Sequence, residues 1–262
     1  MTPAEAFEHH LVPHLFGPWA EQIVAQAGDL TGLRILDIAT ATGTVARLAA
    51  CEAGPTGQVS GLDIDPTMLA VAAAQPAPPA TAPIRWVEAS ALAMPFPDAS
   101  FDRVFCVEGT QFFPDRLAGF REIHRVLAPG GSLITSNWGP LSGNPGYHAL
   151  SDALRSFVSD VAAILPPVGL SDPAEIAALA HEAGFTAIAV RADHLDLRLP
   201  SARDFVAWIA AGGPTIRHNM AQLSDDRRGD FLRFVEGRLA RYAAPDGTLR
   251  LPSMRHILTA AR

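Results

Sequence analysis

The stretch from residue 34 to residue 44, which reads RILDIATATGT, constrains the fold of this chain more than any other. An apolar run ends in Asp37, a loop of small residues follows, and a helical pattern begins after Gly43. A strand, a tight loop and a helix start in this order are typical of doubly wound α/β folds, in which helix N–H groups face a ligand. Such loops usually carry two or three glycines, whereas this one has only Gly43.

Strand patterns recur through the first half of the chain, at residues 58–62, 84–88, 101–107 and 132–136. Helical patterns separate them. One begins at Asp65-Pro66, an N-cap followed by a proline in the first helical position, and another is expected to end at the Pro-Gly-Gly of residues 129–131. Strands and helices that alternate at this spacing predict a mostly parallel sheet with right-handed crossovers.

The pattern changes after Trp138. Helical patterns follow at residues 147–165, 172–183 and 202–242, and alternating, strand-like patterns at residues 185–199 and 248–260. The last helical pattern is interrupted by Gly-Gly-Pro at residues 212–214. The helices near 141–165 and 202–242 exceed what the sheet needs, so we expect them to form a lid over the carboxyl ends of the strands, where ligands bind in this architecture.

Composition and charge exclude several classes of function. With a net charge of −7, the chain offers little basic surface for binding nucleic acid. The N-terminus lacks the profile of a signal peptide, and no apolar run approaches the ~18 residues that span a bilayer. We interpret Cys51 and Cys106 as buried small side chains rather than a disulfide, and His10 and His14, which flank Pro13, as no metal site. We therefore expect a cytoplasmic protein without a metal, a nucleic-acid partner or a membrane partner.

Asp63 is the first candidate for ligand binding. It ends the second strand pattern, 20 residues after Gly43, where a carboxylate can accept hydrogen bonds from ribose hydroxyls. The G-x-G-x-x-G of nicotinamide enzymes is absent from the first loop. These features alone leave a dehydrogenase and a methyltransferase both open.

Four motifs favour the methyltransferase. They occur in order and read LDIATATG at residues 36–43, GQVSGLD at 57–63 with Met68-Leu69 after it, LAMPFPD at 92–98 with SFD at 100–102, and REIHRVLAPGG at 121–131. Together they closely resemble the class I S-adenosylmethionine-dependent methyltransferases, in the ubiquinone-biosynthesis-like group that acts on small molecules. The resemblance is strong over residues 33–138 and weaker over the remainder.

The resemblance implies a Rossmann-like sheet, mostly parallel with its last strand antiparallel, under an α-helical lid. It implies one structural domain, in which residues 1–140 form N-terminal helices and the cofactor-binding half, and residues 141–262 form the lid insertions and the last strands. The implied cofactor is S-adenosyl-L-methionine, with S-adenosyl-L-homocysteine as product. The implied reaction is methylation of carbon, nitrogen or oxygen in a small, mostly apolar molecule, in secondary or quinone-like metabolism. A homodimer is left open.

The resemblance also assigns residues. Loop 39–43 would lie under the amino acid part of the cofactor, Asp63 would hold the ribose, and Ile64 and Met68 would pack on the adenine. The full set of implied cofactor residues is Asp37, Ala39, Thr40, Ala41, Gly43, Asp63, Ile64, Met68, Ser90, Ala91, Leu92 and Glu108. The candidate substrate residues are Phe16, Trp19, Gln111, Phe112, Tyr147 and His148. The candidate catalytic residues, as bases or substrate anchors, are Glu108, Gln111, Tyr147 and His148.

Two residues depart from the family pattern. Ala41 carries a methyl group where glycine is usual, which would cost about 1 kcal/mol if the residue needs a positive φ. Ser90 stands where the family usually has an aspartate that accepts a hydrogen bond from the adenine. These departures keep two alternatives open: a protein of the same fold that catalyses a cyclisation or rearrangement with the cofactor as scaffold or absent, and a non-enzymatic binding module.

Overall fold

The computed structural model describes residues 1–158 and 169–262, with the backbone alone at residues 214 and 215. A seven-stranded sheet has the order β3-β2-β1-β4-β5-β7-β6. The strands are β1 Arg34–Ile38, β2 Gln58–Asp63, β3 Ile84–Glu88, β4 Phe101–Val107, β5 Leu127–Trp138, β6 Thr186–Leu199 and β7 Leu249–Ala261. Only β7 runs antiparallel to its neighbours β5 and β6. The predicted fold class, a mostly parallel sheet with its last strand antiparallel, is confirmed.

Several helices begin after a residue whose side chain caps them. The α-helices are α1 Pro3–Ala6, α2 Gly17–Ala25, α3 Thr44–Ala53, α4 Pro66–Ala74, α5 Arg116–Val126, α6 Pro145–Phe157, α7 Pro173–Glu182, α8 Ala202–Gly212, α9 Pro214–Ala221 and α10 Asp225–Leu239. A wide π-helical segment, Phe7–Phe16, joins α1 to α2. Asp65, Asp115, Asp172 and Ser201 each accept a backbone N–H of the helix that follows, which satisfies one of its free donors.

Several predicted boundaries were wrong. The helix before β5 ends at Val126, short of the Pro-Gly-Gly, because Leu127 is already extended and pairs with Phe101 of β4. The helical pattern over 202–242 breaks at residues 212–214 as predicted, and again at Ser224, which has an extended backbone and begins α10. The predicted helix over 147–165 is α6 as far as Phe157, and its remainder lies outside the described residues.

Three apolar clusters hold the molecule together. One packs α5 and α7 on one face of the sheet, and a second packs α2 and α3 on the other. The third joins the N-terminal segments to α6, α8, α10 and the outer ends of β6 and β7. Because this third cluster lies beside the strands rather than on a sheet face, its helices are free to border the site described next.

Both cysteines are free thiols, and their predicted burial holds for Cys106 alone, since α3 turns Cys51 toward solvent. Among the described residues, no helix combines the length and the apolar character that a membrane crossing requires.

Candidate functional site

A cavity of about 500 Å³ lies at the carboxyl ends of β1 to β5. The loops after β1, β2, β3 and β4 form one part of its wall, and Phe7–Phe16, α6, α8 and α9 form the other. The wall contains these residues of the predicted cofactor set: Ala39, Ala41, Asp63, Ile64, Met68, Ser90, Ala91, Leu92 and Glu108. Of the predicted substrate residues it contains Phe16, Phe112 and Tyr147. The structure thus brings together residues from both halves of the chain.

Asp63 bridges two loops at this wall. Its Oδ2 accepts the backbone N–H of Ala41 at 2.8 Å, and its Oδ1 accepts that of Asp65 at 2.9 Å. Burial raises the pKa of Asp63, and these two hydrogen bonds oppose the rise. The backbone N–H of Ile64 is a third donor to this carboxylate, and because a carboxylate has about four acceptor directions, about one stays open. Asp63 therefore has acceptor capacity left for a ligand.

Strained backbone is concentrated in the same wall. Ala39, Ala41 and Glu108 have φ angles of 55°, 48° and 58°, in the left-handed region that L-residues with a Cβ rarely adopt. Ala41 therefore has the positive φ whose energetic cost was considered from the sequence. The positive φ of Ala39 was not predicted. Such residues are held in place by their surroundings, and they cluster at functional sites.

The other departure from the family pattern, Ser90, has a local role. Its Oγ accepts the backbone N–H of Leu92 at 3.1 Å, which closes the turn after β3. The hydroxyl therefore stabilises the loop that carries Ala91 and Leu92 into the wall.

Asp37 and Thr40 were predicted to bind the cofactor, and the structure places them behind the wall instead. Oδ2 of Asp37 accepts the hydroxyl of Thr40 at 2.5 Å and the N–H of Ala46, in the first turn of α3, at 3.1 Å. Burial raises the pKa of Asp37 to about 7. Since the cap residue of α3 is a glycine without a side chain, Asp37 supplies the missing cap and ties the loop to the helix.

Gly43 is also absent from the wall, and packing explains why it is a glycine. Its φ is +84°, and a Cβ there would lie 2.4 Å from Cη2 of Trp86. A Cβ at Gly61 would meet the same ring at 2.5 Å. The missing side chains at both positions make room for the Trp86 ring beside the loop.

Trp19, Gln111 and His148 were predicted to bind substrate, and none of them lines the cavity. Trp19 is fully buried and donates from Nε1 to Oγ of Ser253. Gln111 lies behind Glu108 and donates to its carboxylate at 3.2 Å. His148 is exposed, because it lies on the outer face of α6. Gln111 and Trp19 support the wall, and His148 is unsuited to act as a catalytic residue there.

Arg255 pairs with Glu108 at this site and was not predicted from the sequence. Its side chain is fully buried, with Nε 3.2 Å from Oε1 of Glu108. The guanidinium lies 4.2 Å from the ring centre of Trp138 and 4.7 Å from that of Trp19. Burial raises the pKa of Glu108, against the attraction of Arg255, and lowers that of Arg255 to about 10. The signal was present in β7, where Arg255 falls on the inward-facing parity of an alternating strand.

Residues 36–135 match the family described as "Methyltransferase domain". The matched segment is 100 residues long, less than half of the chain. A demethylmenaquinone methyltransferase of Thermus thermophilus is 41% identical over 122 residues, which are 47% of this chain and 54% of that protein. One of Lactococcus lactis is 39% identical over 116 residues, 44% of this chain and 46% of that protein. The chain therefore matches about half the length of these curated relatives.

Solved structures agree on the fold. A phosphoethanolamine N-methyltransferase of Haemonchus contortus, in complex with S-adenosylhomocysteine, is 22% identical and has a TM-score of 0.61, over 99% of this chain and 56% of that one. The YcgJ protein of Bacillus subtilis is 20% identical with a TM-score of 0.60, over 94% of this chain and 99% of that one. At these identities the likeness shows a shared fold alone. The predicted resemblance to methyltransferases is confirmed over residues 36–135, by the family match and by the demethylmenaquinone methyltransferases.

The matched segment, residues 36–135, supplies one side of the cavity. Asp63, Ser90 and Glu108 lie within it, whereas Phe16 and Tyr147 come from segments on either side of it. The matched segment therefore contains the predicted cofactor residues, and the segments outside it contribute the wall that faces them.

Proposed function

We propose that the protein transfers a methyl group from S-adenosylmethionine to a small, mostly apolar molecule. The observation that carries the proposal is that the loops of a methyltransferase domain line a cavity of about 500 Å³ and present Asp63 in its wall. The position of the cavity supports the proposal, because it lies at the carboxyl ends of the strands, where ligands of doubly wound sheets bind.

The wall fits the proposed cofactor. Asp63 retains acceptor capacity for a ribose hydroxyl, and a charged acceptor makes stronger hydrogen bonds than a neutral one. Ile64 is 72% exposed, unusual for a large apolar side chain, and together with Met68 it offers an apolar surface for an adenine ring. Ala91 and Leu92 offer the edge of that surface.

The cofactor, when bound, supplies a methyl group already activated on a sulfonium, so the protein needs mainly to align the reactants and exclude water. Phe16, Trp138 and Tyr147 line the opposite wall and would enclose the acceptor among aromatic rings. Glu108 lies in the wall formed by the loops after the strands, with its carboxylate already hydrogen-bonded to Ser136. It is the residue placed to take a proton if the acceptor must lose one.

A quinone-like acceptor is the substrate class we propose, supported by the printed names of the demethylmenaquinone methyltransferases. Residues 1–140 would then bind the cofactor, and residues 141–262 would add the lid, with α6, α8 and α9 in the cavity wall. We further propose action in the cytoplasm without nucleic acid or membrane, supported by the net charge of −7, and a homodimer as the assembly to test first. The comparisons give no support to the non-methylating alternative.

The deciding experiment is calorimetry of S-adenosylhomocysteine binding. Asp63→Asn should weaken binding by about 1.5–3 kcal/mol, because it removes a charged acceptor. Asp65→Asn is the matched control, since Asp65 lies in the same wall but caps α4, and asparagine caps equally well. Equal affinity of wild type and Asp63→Asn would remove Asp63 from the site. Absence of binding to wild type would remove the cofactor from the proposal.

A further inference from the structure

Ser151 brings a buried hydroxyl to the cavity. Ser151 is 1% exposed and lines the cavity, and its Oγ makes no hydrogen bond to any of the described residues. A buried hydroxyl without a partner is uncommon, because the group loses its hydrogen bonds to water on burial and regains none. A serine retained at such a place points to a ligand that supplies the missing partner.

Tyr147 lies one turn before Ser151 on α6, so the two side chains share the face of the helix that borders the cavity. The ring of Tyr147 is tilted against Trp138, with 4.5 Å between ring centres. Burial raises its pKa, and no hydrogen bond from the described residues reaches its hydroxyl. Tyr147 therefore remains a neutral phenol, and the described residues give its O–H donor no acceptor.

The charges around the cavity restrict what these two hydroxyls can bind. The ionised side chains that the described part of the wall presents are all acidic: Asp63, Asp65 and Glu108. Residues 159–168, outside the described part, contain no lysine, arginine or histidine. An anionic group brought into this wall would meet three like charges, and the guanidinium of Arg255 behind the wall is already paired with Glu108, which disfavours a carboxylate or phosphate.

We propose that Tyr147 and Ser151 form a subsite that binds an uncharged oxygen, a hydroxyl or a carbonyl, on the molecule to be methylated. The identity of that molecule as a methyl acceptor rests on the proposed function; the subsite itself rests on the two free hydroxyls and the charges around them. Ser151 is then a specificity-determining residue. It favours a ring system that carries a hydroxyl or carbonyl over the same ring system without oxygen and over the one that carries a carboxylate.

The first test needs no ligand. Ser151→Ala removes a buried hydroxyl without a partner, so it should raise the melting temperature of the free protein. Ser156→Ala is the matched control: it lies on the same helix and gains the same helix propensity, but its Oγ is exposed and donates to the carbonyl of Asp152. We expect Ser151→Ala to exceed this control by about 2–4 °C. A lower melting temperature than wild type would show that the hydroxyl has a partner in the free protein, and would overturn the proposal.

The second test measures binding of 1-naphthol, naphthalene and 1-naphthoate, three ring-matched probes, with and without saturating S-adenosylhomocysteine. Wild type should bind 1-naphthol more tightly than naphthalene. Ser151→Ala and Tyr147→Phe should each weaken 1-naphthol binding about 3- to 10-fold and leave naphthalene binding within twofold, since each removes one hydrogen bond. 1-Naphthoate should bind at least tenfold more weakly than 1-naphthol.

Three results would overturn the subsite: no binding of 1-naphthol to wild type, no change in both variants, or 1-naphthoate bound as tightly as 1-naphthol. The probe series without S-adenosylhomocysteine separates this from the proposed function. If S-adenosylhomocysteine fails to bind, methyl transfer is rejected. The preference for 1-naphthol over naphthalene still decides whether the two hydroxyls form a subsite.

Discussion

Oε1 of Glu108 lies 3.2 Å from Nε of Arg255, and neither side chain has more than 5% of its surface exposed. The pair joins the end of β4 to β7, with β5 between them. Two charges in such a place cost desolvation energy, which only their mutual attraction and further hydrogen bonds offset. Ser136 and Gln111 donate to the same carboxylate and supply those bonds. The wall of the cavity thus depends on a buried charge pair.

Breaking this pair should be costly. Arg255→Met leaves the Glu108 carboxylate buried without a counter-charge, so the free energy of unfolding should fall by about 3–5 kcal/mol in urea titrations. Adding Glu108→Gln to Arg255→Met should recover part of the loss, because no charge then remains. The control is Arg121→Met, which breaks an exposed pair with Glu182 and should change little. Equal effects of Arg255→Met and Arg121→Met would contradict this account.

Gly43 should tolerate no side chain. Gly43→Ala combines a positive φ with a Cβ only 2.4 Å from the Trp86 ring, so it should cost more stability than the roughly 1 kcal/mol of the backbone term. Gly247→Ala isolates that term, since Gly247 has a φ of +85° and nothing within 4 Å of a Cβ. Thermal unfolding compares the two. If Gly247→Ala lowers the melting temperature as much as Gly43→Ala does, the contact with the Trp86 ring is irrelevant. If Trp86→Leu restores part of the stability lost in Gly43→Ala, the ring contact is responsible for that part.

The carboxyl of Asp37 should make stability depend on pH. Its pKa is about 7 in the folded protein and 3.8 in the ordinary carboxyl, so the folded state holds a proton that the unfolded state releases. Its contribution is therefore fully present below about pH 4 and is lost as the pH rises to about 7, by up to about 1.4 kcal/mol per pH unit. Asp37→Asn should remove this slope.

Asparagine is a fair replacement, because a single oxygen of Asp37 accepts both of its hydrogen bonds. Urea titrations of wild type and Asp37→Asn from pH 4 to pH 8 provide the measurement. Parallel profiles for the two proteins would show that Asp37 is ionised throughout this range.

The two departures from the family pattern can be reversed. Ser90→Asp keeps an acceptor for the N–H of Leu92 and adds a charged acceptor at the wall, so S-adenosylhomocysteine should bind more tightly by about 1–2 kcal/mol. Ala41→Gly should add less, by relieving the positive φ, and Ala80→Gly, with a φ of 61° away from the cavity, is its control. Calorimetry of the single and double variants decides. Flat or weaker binding would indicate a pocket adapted to another reaction.

The alternation of strands and helices was sufficient to predict the sheet, its parallel half and the edge at which the cavity opens, because these depend on local periodicity and on general rules of chain crossing. The roles of Asp37 and Gly43 were not predictable in this way. Both were assigned to the ligand by their position in the loop, whereas one caps α3 and the other makes room for Trp86, a residue from a different strand. Such roles depend on which side chains meet across the sheet.

The same limit applies to the wall that faces residues 36–135. The alternating pattern of residues 248–260 predicted β7 but not the partner of Arg255, since the register that places it beside Glu108 follows only from pairing with β5. No pattern in the sequence indicated a role for Ser151. A serine within a helical pattern is common, and only its burial in the cavity wall makes it a candidate.

The position of β7 between β5 and β6 also has a consequence for how the chain is made. Arg255 follows Glu108 by more than half the length of the chain, so a ribosome completes β1 to β5 long before the arginine emerges. During that interval the nascent sheet carries a carboxylate with no cation to meet it and an open edge on β5 that another strand could join. When β7 pairs with β5, it brings Arg255 to the carboxylate and covers the open edge in the same step. A single late event in synthesis therefore ends the period in which the nascent sheet is most exposed to misassembly.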